Sequence, residues 1–324
     1  MNDIKNAIDL KIVALAGGVG GAKLAHGLSM VLPPDNLTVI VNTGDDFNHL
    51  GLEISPDIDT VMYTLAGMAN PDTGWGLNNE SWNTLEGLRA LDAPTWFQIG
   101  DRDLATHLSR TYLKHEGYKL SEIMQKFSEI WGIKVKIFPM SDEPVRTVVH
   151  TRDGRRLSFQ EYFVKERYQP CVEKFTFEGI EHAKLFAEVT DNIDKADLVV
   201  ICPSNPWVSI DPILMVGDIR DRLRSKIVIA VSPIVGDKAL KGPAAKMFDE
   251  MGIIPCVETV AEHYKDFLTC LVIDTQDLEK VENLIQLGII PYVTQTIMCN
   301  DFDRKFLARR IIELGNSLIS RSCG

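Results

Sequence analysis

Short apolar runs alternate with segments of helical periodicity over most of this chain. Residues 11–16 (KIVALA) form an apolar run that breaks into the glycine-rich segment 17–21 and resumes with Leu24, Leu28 and Val31 on one helical face. This succession predicts a strand, a glycine loop and a helix at the start of the fold.

The same alternation returns in the second half of the chain. Apolar runs are followed by helical patterns or by polar loops, and we expect strands at 37–41, 198–202, 227–232, 253–257 and 271–273, with helices over 212–224, 243–251 and 260–267 and two more near the end. Continuous apolar strands between helices indicate a parallel sheet covered on both faces. The pattern therefore predicts an α/β protein, a Rossmann-like three-layer αβα parallel sheet.

The middle of the chain has a different pattern. Residues 134–138, 146–151 and 157–163 alternate in polarity, and 152–155 form a turn sequence, so these runs predict strands of hairpin type. We assign 1–117 and 191–324 to the nucleotide-binding core and 118–190 to a smaller inserted α+β domain. In the segment that precedes residue 118, we expect a helix that Asp101 caps and that carries Leu104, Leu108 and Tyr112 on its apolar face.

Composition narrows the class of protein. The chain has 324 residues, of which 45% are hydrophobic, and 34 Lys and Arg against 45 Asp and Glu give a formal charge of −11. This acidity argues against a nucleic-acid partner, which would need a concentrated basic face. We find no apolar run of about 20 residues, no secretory leader and no cysteine spacing typical of zinc. We therefore expect a cytoplasmic protein with no membrane partner.

The glycine segment is the first candidate site. Gly17, Gly18, Gly20 and Gly21 lie between a strand and a helix, where backbone N–H groups can approach a phosphate. The dinucleotide fingerprint is not met, because Lys23 stands where its last glycine belongs, and no Gly-Lys-Ser/Thr of a Walker loop follows. A plain tight turn is the alternative, and Lys23 either touches a phosphate or faces water.

Four carboxylates follow the second strand: Asp45, Asp46, Asp57 and Asp59. Carboxylates beside a phosphate loop suit Mg²⁺, which is held by one or two of them together with substrate oxygens. Two alternatives stay open, a solvated acidic loop in which Asp57 caps a helix, and an Asp45 that accepts ribose hydroxyls.

Other segments could bind a nucleotide or a flat ring. Ser204 and Asn205 are fixed between two prolines after a buried strand, and 75–82 with Trp96 and Phe97 could line a site for a ring system. For His49 and His107, we favour a hydrogen-bonding or core role over that of a general base.

Together these motifs resemble a known family. GGVGGAKL at 17–24, VNTGDD at 41–46, SPDIDT at 55–60, GDRDLATHL at 100–108, MSDEPVRT at 140–147, PSNP at 203–206, SPIVG at 232–236 and GPAAK at 242–246 are similar, in order, to the 2-phospho-L-lactate transferases of coenzyme F-420 biosynthesis.

The resemblance implies an Mg²⁺-dependent enzyme that transfers a phospholactyl, phosphoenolpyruvyl or phosphoglyceryl group from a guanosine diphosphate-linked donor to the ribityl hydroxyl of the deazaflavin Fo, releasing GMP. Asp45 and Asp46 would be catalytic and hold the metal, and Asp59 and Gln98 would contact Fo, with Trp75 in a wall for its ring. Gln98 stands where a basic residue is frequent in archaeal members.

The same resemblance assigns the guanosine diphosphate portion to two loops, in which Ser204 and Asn205 act together with Ser232 and Gly236. A non-catalytic regulator that binds nucleotide sugars is the runner-up, and a nicotinamide-dependent dehydrogenase is disfavoured by the glycine spacing. The sequence leaves open which three-carbon acid is carried and whether the protein is a homodimer.

Overall fold

The computed structural model describes residues 9–236, 238–239, 246 and 250–322. Their strands are β1 (Ile12–Ala16), β2 (Leu37–Val41), β3 (Phe47–His49), β4 (Leu52–Ile54), β5 (Lys136–Pro139), β6 (Arg146–Thr151), β7 (Arg156–Ser158), β8 (Val172–Glu178), β9 (Leu198–Ile201), β10 (Val228–Val231), β11 (Ile234–Val235), β12 (Lys238–Ala239), β13 (Cys270–Ile273) and β14 (Ile290–Val293).

The helices of the described residues are α1 (Gly18–Ser29), α2 (Pro56–Leu65), α3 (Asn83–Ala90), α4 (Asp101–His115), α5 (Leu120–Trp131), α6 (Ala187–Lys195), α7 (Asp211–Leu214), α8 (Ile219–Leu223), α9 (Val257–His263), α10 (Val281–Gln286) and α11 (Asp301–Ser322). Within this part of the chain, no helix combines the length and the apolar character needed to cross a membrane.

A parallel sheet forms the middle layer. Its seven strands lie in the order β14-β13-β10-β9-β1-β2-β5, with Ile12 of β1 opposite both Leu37 of β2 and Leu198 of β9. All five residues of β1 are buried, because helices cover both faces of the sheet. Ala14 packs with the apolar cluster on one side and Leu15 with the cluster on the other. The predicted Rossmann-like three-layer fold is therefore confirmed.

The region between β5 and α6 carries a second, antiparallel sheet. Strands β7, β6 and β8 pair in that order, and Tyr162 packs beneath them with Val149, Val172 and Val208. A turn of π-helix over Glu161–Lys165 joins β7 to the rest of this sheet. The residues around this turn include the aromatic side chains of Phe159, Tyr162 and Phe163.

One strand of the predicted smaller domain belongs to the central sheet. Residues 134–138 were expected in a hairpin, but β5 pairs in parallel with β2. The hairpin prediction is wrong because an edge strand is covered on one side only, which gives the same alternation of polar and apolar residues as a hairpin. Thus the region 118–190 contains both an extension of the central sheet and the separate sheet of β6 to β8.

Four other predicted elements differ from the structure. The strand expected over 157–163 ends at Ser158, because Glu161–Lys165 form the turn of π-helix. No strand forms over the described residues 253–256, where Pro255 lacks the N–H that pairing needs, and α9 begins at Val257. The helix expected over 212–224 is divided into α7 and α8 at Gly217, whose φ is +55°. Most of the helix expected over 243–251 lies outside the described residues.

Candidate functional site

The carboxyl ends of the parallel strands open into one large cleft. Its volume is about 1130 Å³, and loops after β1, β2, β9 and β10 contribute to its walls. This is where ligands bind in open α/β sheets. The expected site residues that line the cleft are Gly17, Gly18, Gly20, Lys23, Asp45, Asp59, Trp75, Gln98, Ser204, Asn205 and Ser232. Gly21, Asp46 and Gly236 lie outside the lining.

Helix α1 begins directly at the glycine segment and points its N-terminus into the cleft. The Gly17 N–H donates to Ser204 Oγ (3.0 Å), which in turn donates to the Gly17 carbonyl (2.7 Å), and the Gly18 N–H donates to Asp57. The next two amides, of Val19 and Gly20, lie in the first helical turn, where N–H groups lack partners within the helix. These two amides are therefore the ones suited to an anion.

Packing explains several of the glycines. A Cβ on Gly20 would lie 2.2 Å from the Pro203 carbonyl oxygen, and a Cβ on Gly21 would lie 2.6 Å from Ser204 Oγ. The loops after β1 and β9 can therefore meet only if these positions have no side chain. Ser204 was expected to hold a nucleotide, but its hydroxyl group forms hydrogen bonds with Gly17 that connect the two loops.

Lys23 projects from α1 toward the opposite wall of the cleft. Its Nζ donates to the Met298 carbonyl (2.8 Å), and Met298 lies in the segment 296–299 that closes this side of the cleft. The ammonium group thus stays in the cleft lining, about one helical turn from the glycine amides.

Asp45 and Asp57 form the acidic centre of the cleft. Asp57 Oδ2 accepts from Asn42 Nδ2 (2.9 Å), while Asp45 Oδ1 is buried with no hydrogen-bond partner among the described residues. Burial, together with the carboxylates of Asp57 and Asp46, raises the pKa of Asp45 well above its ordinary value. Burial also raises the pKa of Asp57 to about 6. A cation between the two would relieve this repulsion.

Asp46 lies behind this pair. Its Oδ2 accepts from Ser55 Oγ (2.9 Å), and burial raises its pKa to about 7 against the opposing effects of Arg146 and Arg110. Asp46 Oδ1, like Asp45 Oδ1, is buried with no hydrogen-bond partner among the described residues, but Asp45 and Asp57 line the cleft and Asp46 does not.

The described part of the chain contains no group of three or more His, Cys, Asp or Glu side chains placed to hold a metal. This does not conflict with magnesium, which keeps several waters and uses one or two carboxylates together with substrate phosphate oxygens. The unpartnered Oδ1 of Asp45 beside Asp57 fits that kind of site.

A second buried group of polar side chains also lines the cleft. We call Asp59, Tyr63, Asp103, His107 and Arg110 the α4 cluster, since three of them belong to α4. Both carboxylate oxygens of Asp59 accept from the Arg110 guanidinium, and Tyr63 OH donates to Asp103 Oδ1 (2.6 Å). His107 lies between Asp59 and Asp103, and only Arg110 does not line the cleft.

The sequence pattern misassigned the faces of α4. Leu108 and Tyr112, expected on an apolar buried face, are exposed, and the opposite polar face is buried. Asp101 does not cap its own helix either, because its side chain accepts from the N–H groups of Asn83 and Thr84 at the start of α3. The charges of the polar face can be buried because each meets a partner on α2.

Aromatic residues from three parts of the chain line the cleft. They are Trp75, Trp96, Phe97, Phe159 and Phe163. Trp96 and Phe97 pack with Leu104 of α4, Phe159 and Phe163 belong to the apolar cluster of the smaller sheet, and Gly74, next to Trp75, lies against Val19 of α1. Trp82, expected in the same wall, is not among the lining residues. His49 packs edge-on against Trp96 with ring centroids 4.9 Å apart, and its pKa is lowered by burial. This agrees with the expected core role of His49.

The loops expected to hold a nucleotide are firmly built. Ser232 Oγ accepts from the Ile234 N–H (3.1 Å) and donates to the Ile234 carbonyl (3.0 Å). Asn205 Oδ1 accepts from the Trp207 N–H (3.1 Å), and the Gly236 N–H donates to Asp277 (2.9 Å). These side chains and amides form hydrogen bonds within their own loops. Any contact with a ligand would therefore be made by other polar groups of the same loops.

The fold and the cleft define a class of protein, an α/β protein with a small-molecule cleft that combines a helix N-terminus, paired carboxylates and an aromatic wall. Comparison with known proteins identifies the family. The model of the 2-phospho-L-lactate transferase family CofD matches residues 12–288. The chain belongs to this family of transferases.

Individual relatives match almost the whole chain. It is 39% identical to the 2-phospho-L-lactate transferase of Methanocaldococcus jannaschii, over 95% of this chain and 99% of that protein. It is 37% identical to the protein of that name in Methanococcoides burtonii (94% and 99%), and 40% identical to the phosphoenolpyruvate transferase of Thermobifida fusca (87% and 92%).

Solved structures share the fold at low identity. A Bacillus halodurans protein of the UPF0052 family superimposes with a TM-score of 0.60 at 14% identity, covering 93% of this chain and 99% of that one. This likeness supports the architecture only.

Proposed function

We propose that the protein transfers a phospholactyl, phosphoenolpyruvyl or phosphoglyceryl group from a guanosine diphosphate-linked donor to the ribityl hydroxyl of the deazaflavin Fo, releasing GMP, in the biosynthesis of coenzyme F-420. The reaction would take place in the cytoplasm. Family membership supports a transferase. The observation that supports the rest is a single cleft lined by the N-terminus of α1, by carboxylates and by aromatic side chains.

The donor fits the end formed by α1. The amides of Val19 and Gly20 and the ammonium group of Lys23 offer positive charge to phosphates, and the positive end of the α1 dipole adds to it. Phosphoryl transfer depends mainly on position and charge neutralisation. Few basic residues are therefore needed, in agreement with the acidic composition.

Asp45 and Asp57 are the residues that would hold Mg²⁺ in this site. When bound, the ion would neutralise charge on the transferring phosphate. Asn42 fixes this arrangement, since its amide donates to Asp57 and its Oδ1 accepts from the Gly44 N–H (2.8 Å) in the loop that carries Asp45. Asp46 then acts as buried support for that loop.

The acceptor fits the end formed by the α4 cluster and the aromatic wall. Its ring would lie against apolar surface near Trp75 and Phe97, and its arm would point along Asp59 toward the donor phosphorus. A bond would form from the terminal hydroxyl oxygen to phosphorus while the bond from phosphorus to the GMP oxygen breaks. The hydroxyl proton would pass to solvent or to a cleft carboxylate.

The transferred acid is the open part of this proposal. Relatives at similar identity include proteins named 2-phospho-L-lactate transferase and phosphoenolpyruvate transferase, so identity does not separate the donors. The test is incubation of the protein with Fo, MgCl₂ and each of the three guanylylated acids, followed by mass spectrometry. We expect one donor to add its phospho-acid to Fo with one GMP released per product. No mass gain with any donor would contradict the proposal.

A further inference from the structure

Two carboxylates of the α4 cluster face the cleft on either side of one imidazole ring. His107 Nδ1 lies 3.7 Å from Asp59 Oδ2, and His107 Nε2 lies 3.3 Å from Asp103 Oδ2. His107 is only 2% exposed, so its ring is a fixed spacer. Asp59 and Asp103 are therefore held on opposite sides of the imidazole ring, and both line the cleft.

One partner of these carboxylates, Arg110, lies outside the cleft lining, whereas Tyr63 and His107 line the cleft beside them. Arg110, which is 1% exposed, binds both oxygens of Asp59 and also contacts His107 Nδ1 (3.3 Å) and the Glu53 carbonyl (3.2 Å). Each ionised carboxylate oxygen can accept about two hydrogen bonds, so Asp59 and Asp103, which both line the cleft, keep unused acceptor capacity.

The arrangement selects what can bind. Since Arg110 donates to Asp59 and Tyr63 donates to Asp103, both carboxylates offer acceptors. Although burial alone would raise the pKa of Asp103, hydrogen bonding to His107 and Tyr63 holds it below its ordinary value. A wall with two carboxylate acceptors separated by a ring suits a ligand that carries several hydroxyl donors along one arm.

We propose that Asp103 is a second substrate-binding carboxylate, which together with Asp59 binds two hydroxyls of the acceptor's polyol arm, and that Arg110 is the positioning residue that orients Asp59. This inference rests on the proposed acceptor. It adds a reason why a polyol, and not merely a flat ring, is required: each hydroxyl satisfies a carboxylate that is otherwise left with unused acceptor capacity in a partly buried wall.

The first experiment compares two acceptors by fluorescence titration. One is Fo, and the other is an analogue with the same ring and an alkyl arm without hydroxyls. For Asp103→Asn we expect about a tenfold loss of affinity for Fo, equivalent to about 1.4 kcal/mol, and no change for the analogue. Equal losses for both ligands, or unchanged affinity for Fo, would overturn the role of Asp103.

A second variant keeps the inference testable if Asp103→Asn does not fold. Tyr63→Phe removes only the hydroxyl that donates to Asp103 and leaves the ring in place. We expect a smaller loss of affinity for Fo, again without effect on the alkyl analogue. Titration with guanosine diphosphate serves as the check on folding, and it should give the wild-type affinity in both variants.

The test of Arg110 requires a measured quantity that would not change if Arg110 only stabilised the fold. We expect Arg110→Ala to raise KM for Fo about tenfold with KM for the donor unchanged, and added guanidinium to restore much of the Fo affinity by occupying the emptied space. The matched control is Lys114→Met on the same helix, which removes the ion pair with Glu53 (3.1 Å) outside the cluster. It should leave both KM values unchanged.

The outcomes separate the two proposals. Wild-type protein that binds no Fo would overturn the proposed acceptor and this inference with it. Wild-type protein that binds Fo while Asp103→Asn also binds it normally would overturn the inference alone. Lack of rescue by guanidinium, with donor KM raised equally, would show that Arg110 only stabilises the fold.

Discussion

At the scale of single residues, the acidic centre of the cleft decides the chemistry. The sequence identified four aspartates but not their geometry, because neighbours in sequence such as Asp45 and Asp46 point different ways in a loop. The structure turns Asp46 toward Ser55 and leaves Asp45 beside Asp57. Asn42, which orders this pair, lies in the VNTGDD motif, but its role was not predicted because it depends on a contact with Asp57, 15 residues away.

Substitution of Asp57 tests this pairing. We expect Asp57→Asn and Asp45→Asn each to reduce kcat about a hundredfold and to raise the Mg²⁺ concentration needed for half activity, because each removes a charge that faces the cation. The measurement is a steady-state assay over a range of MgCl₂. Asp35→Asn, at an exposed turn, is the control and should behave as wild type. Normal magnesium dependence in Asp57→Asn would refute the pairing.

Asp46 predicts a dependence of stability on pH. Its pKa in the folded protein is about 7, raised from 3.8 mainly by burial. The group therefore favours folding below about pH 4, and this contribution is lost as the pH rises toward 7. We expect the stability of Asp46→Asn relative to wild type to increase between pH 4 and 7 and then to level off, as measured by urea unfolding without metal. A difference that is constant with pH would contradict this.

At the scale of elements, local patterns predicted β1 and α1 well and α4 badly. All residues of β1 and β2 are buried, because both faces of the sheet are covered. The continuous apolar runs in the sequence predicted this arrangement. In α4 the apolar spacing of Leu108 and Tyr112 was the only local signal, whereas the buried face is polar. The pairings of Arg110 with Asp59, 51 residues away, and of Asp103 with Tyr63, 40 residues away, allow that face to be buried, and no local pattern contains such pairings.

The contact between α1 and α11 depends on a glycine. A Cβ on Gly27 would lie 2.4 Å from the Arg304 carbonyl oxygen. We expect Gly27→Ala to destabilise the fold by about 1–3 kcal/mol, because the helices must move apart. Gly87→Ala in α3 is the matched control, since no described atom apart from its chain neighbours and its own helix backbone lies within 4 Å of the added Cβ, and it should stabilise by about 0.5–1 kcal/mol. Thermal unfolding of both variants measures the difference. Equal effects would contradict the close packing.

At the scale of the whole molecule, the order of motifs along the chain predicted which loops meet in the cleft. Strand ends at Ala16, Val41 and Ile201 lie side by side because their strands are neighbours, so their loops meet in one cleft. The sequence could not show that β5 joins this sheet, nor that Phe159 and Phe163 approach the cleft from the smaller sheet. Both depend on contacts between distant segments.

The central claim is that the donor binds at the α1 end of the cleft and the acceptor at the α4 end. The most direct measurement is a crystal structure of the protein with guanosine diphosphate and Fo bound together. We expect the phosphates against the amides of Val19 and Gly20 and the arm of Fo against Asp59 and Asp103. Phosphates placed on the α4 cluster, or an Fo ring stacked over the glycine segment, would contradict the account.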